Sequence, residues 1–151
     1  MDKQPFIIYD GPSGSGKTTL LGAVDVFLGY PYLSVARLTP SQWVYGTLRG
    51  DEGVTAQVEE FERALMRVTR PLLVYTFASP EVLLERMHSR EEYRPTKVLE
   101  LTQDDLAKVL TLFLLYYTKL SILPRIMVDT TKTIQQCIDV VVIEMAREFS
   151  G

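Results

Sequence analysis

The stretch Asp10-Gly11-Pro12-Ser13-Gly14-Ser15-Gly16-Lys17-Thr18-Thr19 decides the fold of this chain. It fits the pattern G-x-x-x-x-G-K-[ST], whose glycines let backbone N–H groups converge on a phosphate. The lysine of such a loop reaches the outer phosphates, and the hydroxyl that follows it holds Mg²⁺, here on Thr18. An apolar run over 5–9 predicts a strand before the loop, and 18–28 predicts a helix after it, the order that a nucleotide site requires. We therefore expect a triphosphate such as ATP to contact Gly11, Ser13, Gly14, Ser15, Gly16, Lys17, Thr18 and Thr19.

Composition predicts one domain over 1–151. The chain has 151 residues, of which 46% are apolar and 23% charged, enough for a single buried core. Its formal net charge of −3, from 16 Lys and Arg against 19 Asp and Glu, argues against a broad contact with duplex nucleic acid. A small anionic ligand needs only a local basic pocket.

The same features predict a cytoplasmic protein with no membrane partner. Cys137 is the single cysteine, which excludes an internal disulfide and a cysteine-rich metal site and fits a reducing compartment. The N-terminus lacks the pattern of a secretory signal. The most apolar run, 109–117, is too short and too closely flanked by charge to span a bilayer.

Hydrophobic periodicity and capping residues predict the remaining elements. Strands are expected over 32–36, 72–77 and 125–129. Helices are expected over 18–28, ended by Gly29; over 40–49, opened by a capping box of Thr39 and Gln42; from Thr55 to about Thr69; from Ser79-Pro80-Glu81; from Thr102 to about Leu120; and after Thr133. The charged segment 88–97 has no apolar period and predicts a loop. The alternation β-α-β-α-α-β-α-α-β-α indicates an α/β fold with a mainly parallel sheet of about four strands covered by helices.

The loop and the segment that follows the second strand resemble the nucleoside and nucleoside-monophosphate kinases, especially the thymidylate kinase branch. Asp10 to Lys17 resembles a kinase P-loop. Ala36-Arg37-Leu38, followed by Ser41 and Tyr45, resembles the Asp-Arg-aromatic motif of that family, with alanine in the place of aspartate. One β-α unit of the family is absent before this motif.

The resemblance extends to later motifs and covers nearly the whole chain. The strand 72–77 with Ser79-Pro80-Glu81 and Leu84-Glu85-Arg86 resembles a family strand and the helix that leads into a lid. Residues 125–132 resemble the last strand and the loop beside the adenine. The resemblance implies a three-layer P-loop NTPase/kinase fold, with ATP and Mg²⁺ as donor and cofactor and a lid at about 87–98.

Phosphoryl transfer requires positioning and positive charge around the transferred group. Lys17 and a metal on Thr18 supply part of that charge. Arg86, Arg90 and Arg94 recur every four residues, which predicts either phosphate contacts, with Arg90 and Arg94 on the lid, or a solvated charged helix end. Arg37 is expected to bind phosphate at the acceptor side or to form a surface salt bridge.

Two other residues have open alternatives. Asp10 either acts in catalysis, by orienting a metal-bound water or accepting a proton, or caps N–H groups of the loop. Trp43 either stacks on an acceptor base or packs in the core. His88, the single histidine, has no neighbours in sequence that suggest a metal site or a nucleophilic triad.

These observations predict an ATP-dependent phosphotransferase that phosphorylates a (deoxy)nucleotide or (deoxy)nucleoside. The alternatives are a P-loop ATP-binding or ATPase module, and a kinase that acts on a modified base or end in nucleic acid. The chain contains no asparagine, so it lacks the Asn-Lys-x-Asp signature of a switch GTPase. An ATPase would place an aspartate at the end of a strand beside the first one, whereas strands end at Ala36 and Ala78. An open sheet edge makes a homodimer possible.

Overall fold

The computed structural model describes residues 3–29, 32–93 and 103–150. Its strands are β1 (Gln4–Asp10), β2 (Leu33–Ala36), β3 (Thr69–Phe77) and β4 (Arg125–Asp129). Its α-helices are α1 (Lys17–Leu28), α2 (Thr39–Leu48), α3 (Val54–Val68), α4 (Pro80–Tyr93), α5 (Gln103–Leu115) and α6 (Ile134–Phe149), and a π-helical turn over Tyr116–Leu120 continues α5.

The four described strands form one parallel sheet in the order β2-β1-β3-β4. This confirms the α/β class and the predicted parallel sheet. The central strands are apolar on both sides because helices cover both faces of the sheet. Ile7 and Tyr9 pack in a cluster with residues of α1 and α6, whereas Ile8 and Leu73 pack with Leu65 of α3.

A second, aromatic cluster fills the space between the sheet and the helices α2, α3 and α5. It contains Trp43, Val58, Tyr75 and Phe113, together with Tyr116 of the π-helical turn. Burial raises the pKa of Tyr75 to about 12, with a smaller contribution from the negative charge of Asp10. Because α1 and α6 pack on one face of the sheet and α2, α3 and α5 pack on the other, the sheet lies between two helical layers.

Several predicted boundaries are confirmed. Gly29 ends α1 in the left-handed conformation, with φ of 74°. The N–H of Val82 donates a hydrogen bond to the Ser79 hydroxyl at the start of α4. The strand β3 starts earlier than predicted, at Thr69, because its pairing with β1 begins at Gln4 and takes in Pro71.

The capping box predicted for α2 is wrong. Leu38 occupies the N-cap, and no side chain at that position caps the helix. The Thr39 hydroxyl instead donates to Oε2 of Glu62 on α3, at 2.7 Å. The Leu38 N–H donates to the carboxylate of Asp10, so a distant residue caps this helix.

The predicted start of α3 at Thr55 is also wrong, since Gly53 occupies the N-cap. Thr55 lies inside the helix, where its hydroxyl accepts a hydrogen bond from the indole Nε1 of Trp43 at 3.0 Å. A threonine near a helix start therefore serves tertiary packing here.

The predicted loop over 88–97 is wrong in its first part, because α4 continues to Tyr93. Arginine and glutamate are good helix formers, so a charged sequence without an apolar period need not end a helix. Arg90 lies in this extension. Arg94, the rest of the predicted lid at 87–98 and Thr102 lie outside the described residues. In the described part of the chain, every helix is too short or too polar to cross a membrane.

The close approach of Gly11 to β3 gives a stability prediction. A Cβ at Gly11 would lie 2.2 Å from the backbone oxygen of Thr76, so Gly11→Ala must displace the loop or the strand. We expect it to lower the free energy of unfolding by about 1–3 kcal/mol or more, as overpacking does. Gly22 on α1 is the control, because a Cβ there meets nothing within 4 Å. Gly22→Ala should stabilise the helix by about 0.5–1 kcal/mol. Urea unfolding of both variants measures the difference, and equal stabilities would contradict the proposed crowding.

Candidate functional site

The glycine-rich loop connects β1 to α1 and is held from behind by β3. Gly14 and Gly16 have φ of 80° and 88°, in the left-handed region that favours glycine, and Gly16 is the N-cap of α1. Ser15 is buried, and its hydroxyl is hydrogen bonded to that of Thr76 at 2.7 Å. The loop is thereby fixed around the N-terminus of α1, where the helix dipole favours an anion.

Lys17 provides a positive charge at the centre of the loop. Its side chain is 5% exposed. The ammonium Nζ donates to the carbonyl oxygens of Gly11 at 3.0 Å and of Pro12 at 3.2 Å. The backbone of the loop curls around this charge.

A cavity of about 700 Å³ opens beside the loop. It brings together many residues that the sequence predicts as site residues, from three separate parts of the chain. They are Gly14, Gly16, Lys17, Thr18 and Thr19 of the loop and α1, Arg37 after β2, and Arg86 of α4. Its far side is formed by residues around the start of α6, including Thr130, Lys132, Ile134 and Cys137.

Arg86 connects the loop to the far side of the cavity. Its Nη1 donates to the Gly14 carbonyl at 2.9 Å and to the Thr130 hydroxyl at 3.0 Å, and its Nη2 donates to the Thr130 carbonyl at 3.0 Å. The Thr130 hydroxyl in turn donates to the Ser15 carbonyl at 2.6 Å. Sequence reasoning missed Thr130 as a site residue. The signals that could have found it are its position directly after β4 and the resemblance of residues 125–132 to the loop beside the adenine.

Arg37 stands at the carboxyl end of β2 in an unusual backbone conformation. Its φ is 72°, and no other non-glycine residue among those described has a positive φ. Its N–H donates to the Tyr9 carbonyl at 2.9 Å, which extends the pairing of β2 with β1 by one residue. The side chain is exposed and lines the cavity. Such local strain is typical of functional positions.

Asp10 is fully buried, and its carboxylate joins the loop to α2. It accepts hydrogen bonds from the Gly11 N–H at 2.7 Å, from the N–H groups of Leu38 and Ser41 at 2.9 Å each, and from the Ser41 hydroxyl at 2.5 Å. These four donors engage both carboxylate oxygens. The geometry favours the capping role over the catalytic one.

The surroundings of Trp43 favour core packing over stacking on an acceptor base. It is 6% exposed, and its ring lies 5.7 Å from that of Tyr116 in the aromatic cluster. Tyr45 lies one helical turn after Ser41 on α2, where the charges of Arg37 and Asp10 act on it. Burial raises the pKa of Tyr45, while the positive charge of Arg37 acts in the opposite direction. Tyr45 is therefore an aromatic residue of α2 close enough to Arg37 for the arginine charge to act on its hydroxyl.

The residues present fit a metal that is held mainly by the ligand. Within the described ranges, no group of three or more His, Cys, Asp or Glu side chains could hold a metal ion. Asp129 ends β4, but β3 lies between β4 and β1. Thr18 lines the cavity, and its hydroxyl is the loop group that could contact Mg²⁺. Mg²⁺ commonly takes its remaining ligands from substrate phosphates and water.

A parallel sheet, a glycine-rich loop after its first strand and a helix behind that loop define the P-loop kinase type of α/β fold. Solved structures share it. YorR of Bacillus subtilis, in complex with phosphorylated GDP, has a TM-score of 0.68 at 17% identity, with 98% of this chain and 99% of that chain covered. Deoxyadenosine kinase of M. mycoides with bound dATP has a TM-score of 0.64 at 12% identity, with 94% and 99% covered.

The same kinase with its products dCMP and a flexible dCDP has a TM-score of 0.57 at 10% identity, with 95% of this chain and 99% of that chain covered. No protein-family model matches the sequence, and no curated protein matches it either. At this level of identity the structural likeness shows the fold.

The contacts of Arg86 predict its effect on nucleotide binding. Arg86→Lys keeps the charge but cannot join the Gly14 and Thr130 carbonyls with one planar group. We expect a loss of about tenfold in affinity for a fluorescent ATP analogue, from hydrogen bonds lost at the loop. Arg147→Lys is the control, because Arg147 lies on the outer side of α6 and its side chain is 73% exposed. An unchanged Kd for Arg86→Lys would show that Arg86 does not organise the site.

Proposed function

We propose that this chain is an ATP-dependent phosphotransferase of the nucleoside and nucleotide kinase type. The observation that carries the proposal is the convergence of Lys17, Arg37 and Arg86, from three different elements, on one cavity at the phosphate-binding loop. Positive charge from several directions is what a transferred phosphoryl group requires. The nucleotide-bound structures that share the fold support a nucleotide ligand.

The donor is proposed to lie with its outer phosphates in the loop. Backbone N–H groups of the loop and the ammonium of Lys17 would bind the β- and γ-phosphates, and Arg86 would hold the loop in shape. Mg²⁺, held through Thr18 and the phosphates, would neutralise charge on the β- and γ-oxygens. Arg90, and Arg94 outside the described residues, are proposed to approach the phosphates from a lid.

The transfer itself forms one bond and breaks one. An oxygen of the acceptor attacks the γ-phosphorus, the bond from that phosphorus to the β–γ bridging oxygen breaks, and ADP leaves with the electron pair. A hydroxyl acceptor must also lose a proton, whereas an ionised phosphate acceptor need not. Both oxygens of Asp10 are already engaged by donors. The convergence of Arg37 with Lys17 and Arg86 on one cavity favours an anionic acceptor, and we propose a nucleoside monophosphate that is held through its phosphate by Arg37.

This acceptor fits the narrower resemblance to thymidylate kinases. The base would lie toward Tyr45 and the aromatic cluster, although Trp43 itself is buried there. A cytoplasmic location without a membrane partner is part of the proposal, and a small nucleotide is favoured over an end or a modified base in nucleic acid as the acceptor. The outer edge of β2 is unpaired among the described strands, which allows a homodimer that size-exclusion chromatography can detect.

A transfer assay tests the proposed activity. With labelled ATP, Mg²⁺ and a panel of deoxynucleosides and their monophosphates, we expect label to pass to one or more monophosphates. Lys17→Ala should lower the rate by about 10²–10³-fold, because it removes a charge at the transferred group. Lys108→Ala, an exposed lysine on α5, should leave the rate unchanged. Tight ATP binding without transfer to any acceptor would favour the binding-module alternative instead.

A second variant tests the acceptor side. Arg37→Ala should raise KM for the monophosphate by about ten- to a hundredfold, the value of a charge-assisted hydrogen bond, and leave KM for ATP nearly unchanged. Arg49→Ala, an exposed arginine at the end of α2, is the matched control. Steady-state kinetics with each substrate varied in turn measures both constants. A rise confined to KM for ATP would place Arg37 at the donor, and an equal rise in both KM values would contradict a specific role at the acceptor.

A further inference from the structure

Glu62 is a buried carboxylate that neither the loop nor the cavity uses. It lies on α3 and is 1% exposed. Its oxygens accept hydrogen bonds from the Thr39 hydroxyl at 2.7 Å, the Ser121 hydroxyl at 3.0 Å and the Ile122 N–H at 3.0 Å, and from the Tyr116 hydroxyl. All of these donors are neutral groups from other elements.

Burying a carboxylate in a core costs free energy. Burial removes its hydration, and an apolar residue of similar volume would often be at least as stable. Directed hydrogen bonds, however, fix the positions of the groups that donate them.

The Thr39 arm leads to the acceptor side of the cavity. Thr39 is the first residue of α2 and stands two residues after Arg37. The same turn is held from its other side by Asp10, through the N–H groups of Leu38 and Ser41. Two buried carboxylates, from β1 and α3, thus hold the first turn of one short helix.

Arg37 depends on this turn for its backbone conformation. With φ of 72°, it occupies a region that is unfavourable for an arginine and persists only where the surrounding structure imposes it. Its N–H is held by the Tyr9 carbonyl on the β1 side, and the residues that follow are held by Asp10 and Glu62. If α2 shifted, Arg37 could return to an ordinary conformation and its side chain would leave the cavity.

We propose that Glu62 is a positioning residue, which acts through Thr39 to hold Arg37 toward the cavity. The role of Arg37 as a phosphate ligand rests on the proposed function. The positioning itself concerns the backbone over 37–41 and can be measured without catalysis.

The test compares hydroxyls that donate to the same oxygen. Thr39→Val and Ser121→Ala each remove one hydroxyl that donates to Oε2 of Glu62, but only Thr39 belongs to the first turn of α2. Thr39→Ser retains the hydroxyl and should behave as the original chain. Amide hydrogen exchange by NMR should be at least about tenfold faster at residues 37, 38 and 41 in Thr39→Val, since a fixed contact is lost there. After correction for global stability, Ser121→Ala should leave these amides unchanged, because Ser121 donates to Glu62 from outside α2.

Kinetics gives the second readout. Thr39→Val should raise KM for the monophosphate about five- to tenfold and leave KM for ATP unchanged, a loss equal to about one hydrogen bond. In an Arg37→Ala background the same substitution should have no further effect on KM, because the positioned group is gone. Ser121→Ala should change the melting temperature without this split between the two KM values.

The outcomes separate this inference from the proposed function. Equal exchange over 37–41 in Thr39→Val and Ser121→Ala would overturn the positioning role, even if phosphate transfer is observed. If no acceptor is phosphorylated, the proposed function fails and exchange alone decides the inference. Selective loss of protection in Thr39→Val, restored in Thr39→Ser, would then still support it.

Discussion

The carboxylate of Asp10 is the constraint on which the site depends. It is buried at the end of β1, and it accepts hydrogen bonds from the loop on one side and from the start of α2 on the other. A buried charge of this kind is stable only when its hydrogen bonds are satisfied. The first turn of α2 must therefore lie close to the loop, and this brings Arg37 to the edge of the cavity.

The charges around the cavity come from elements that are far apart in sequence. The parallel sheet places the carboxyl ends of β1, β2 and β3 at one edge, which is where ligands bind in open α/β sheets. Lys17 follows β1, Arg37 follows β2, and Arg86 lies on the helix that follows β3. The threonine after β4 completes the arrangement, because it connects Arg86 to the loop.

Neutral hydrogen-bond donors hold the two buried carboxylates Asp10 and Glu62. Asp10 and Glu62 are both buried, and the donors that define their positions are backbone N–H groups and hydroxyls. Such donors leave the cationic side chains of Arg37 and Arg86 directed at the cavity. The acidic net charge of the chain is thus compatible with a locally basic site.

The sequence by itself determined the features that depend on residues close together along the chain. The loop, its glycines, the helix behind it, the strands and the end of α1 at Gly29 follow from local conformational preferences. Only the tertiary structure decided the partners of polar side chains. Thr39 was predicted to cap a helix and binds Glu62 instead, and of the two alternatives for Trp43 the tertiary structure favours core packing. A hydroxyl or an indole bonds whichever partner the fold brings near, and contacts between residues 39 and 62, or 86 and 130, leave no local pattern.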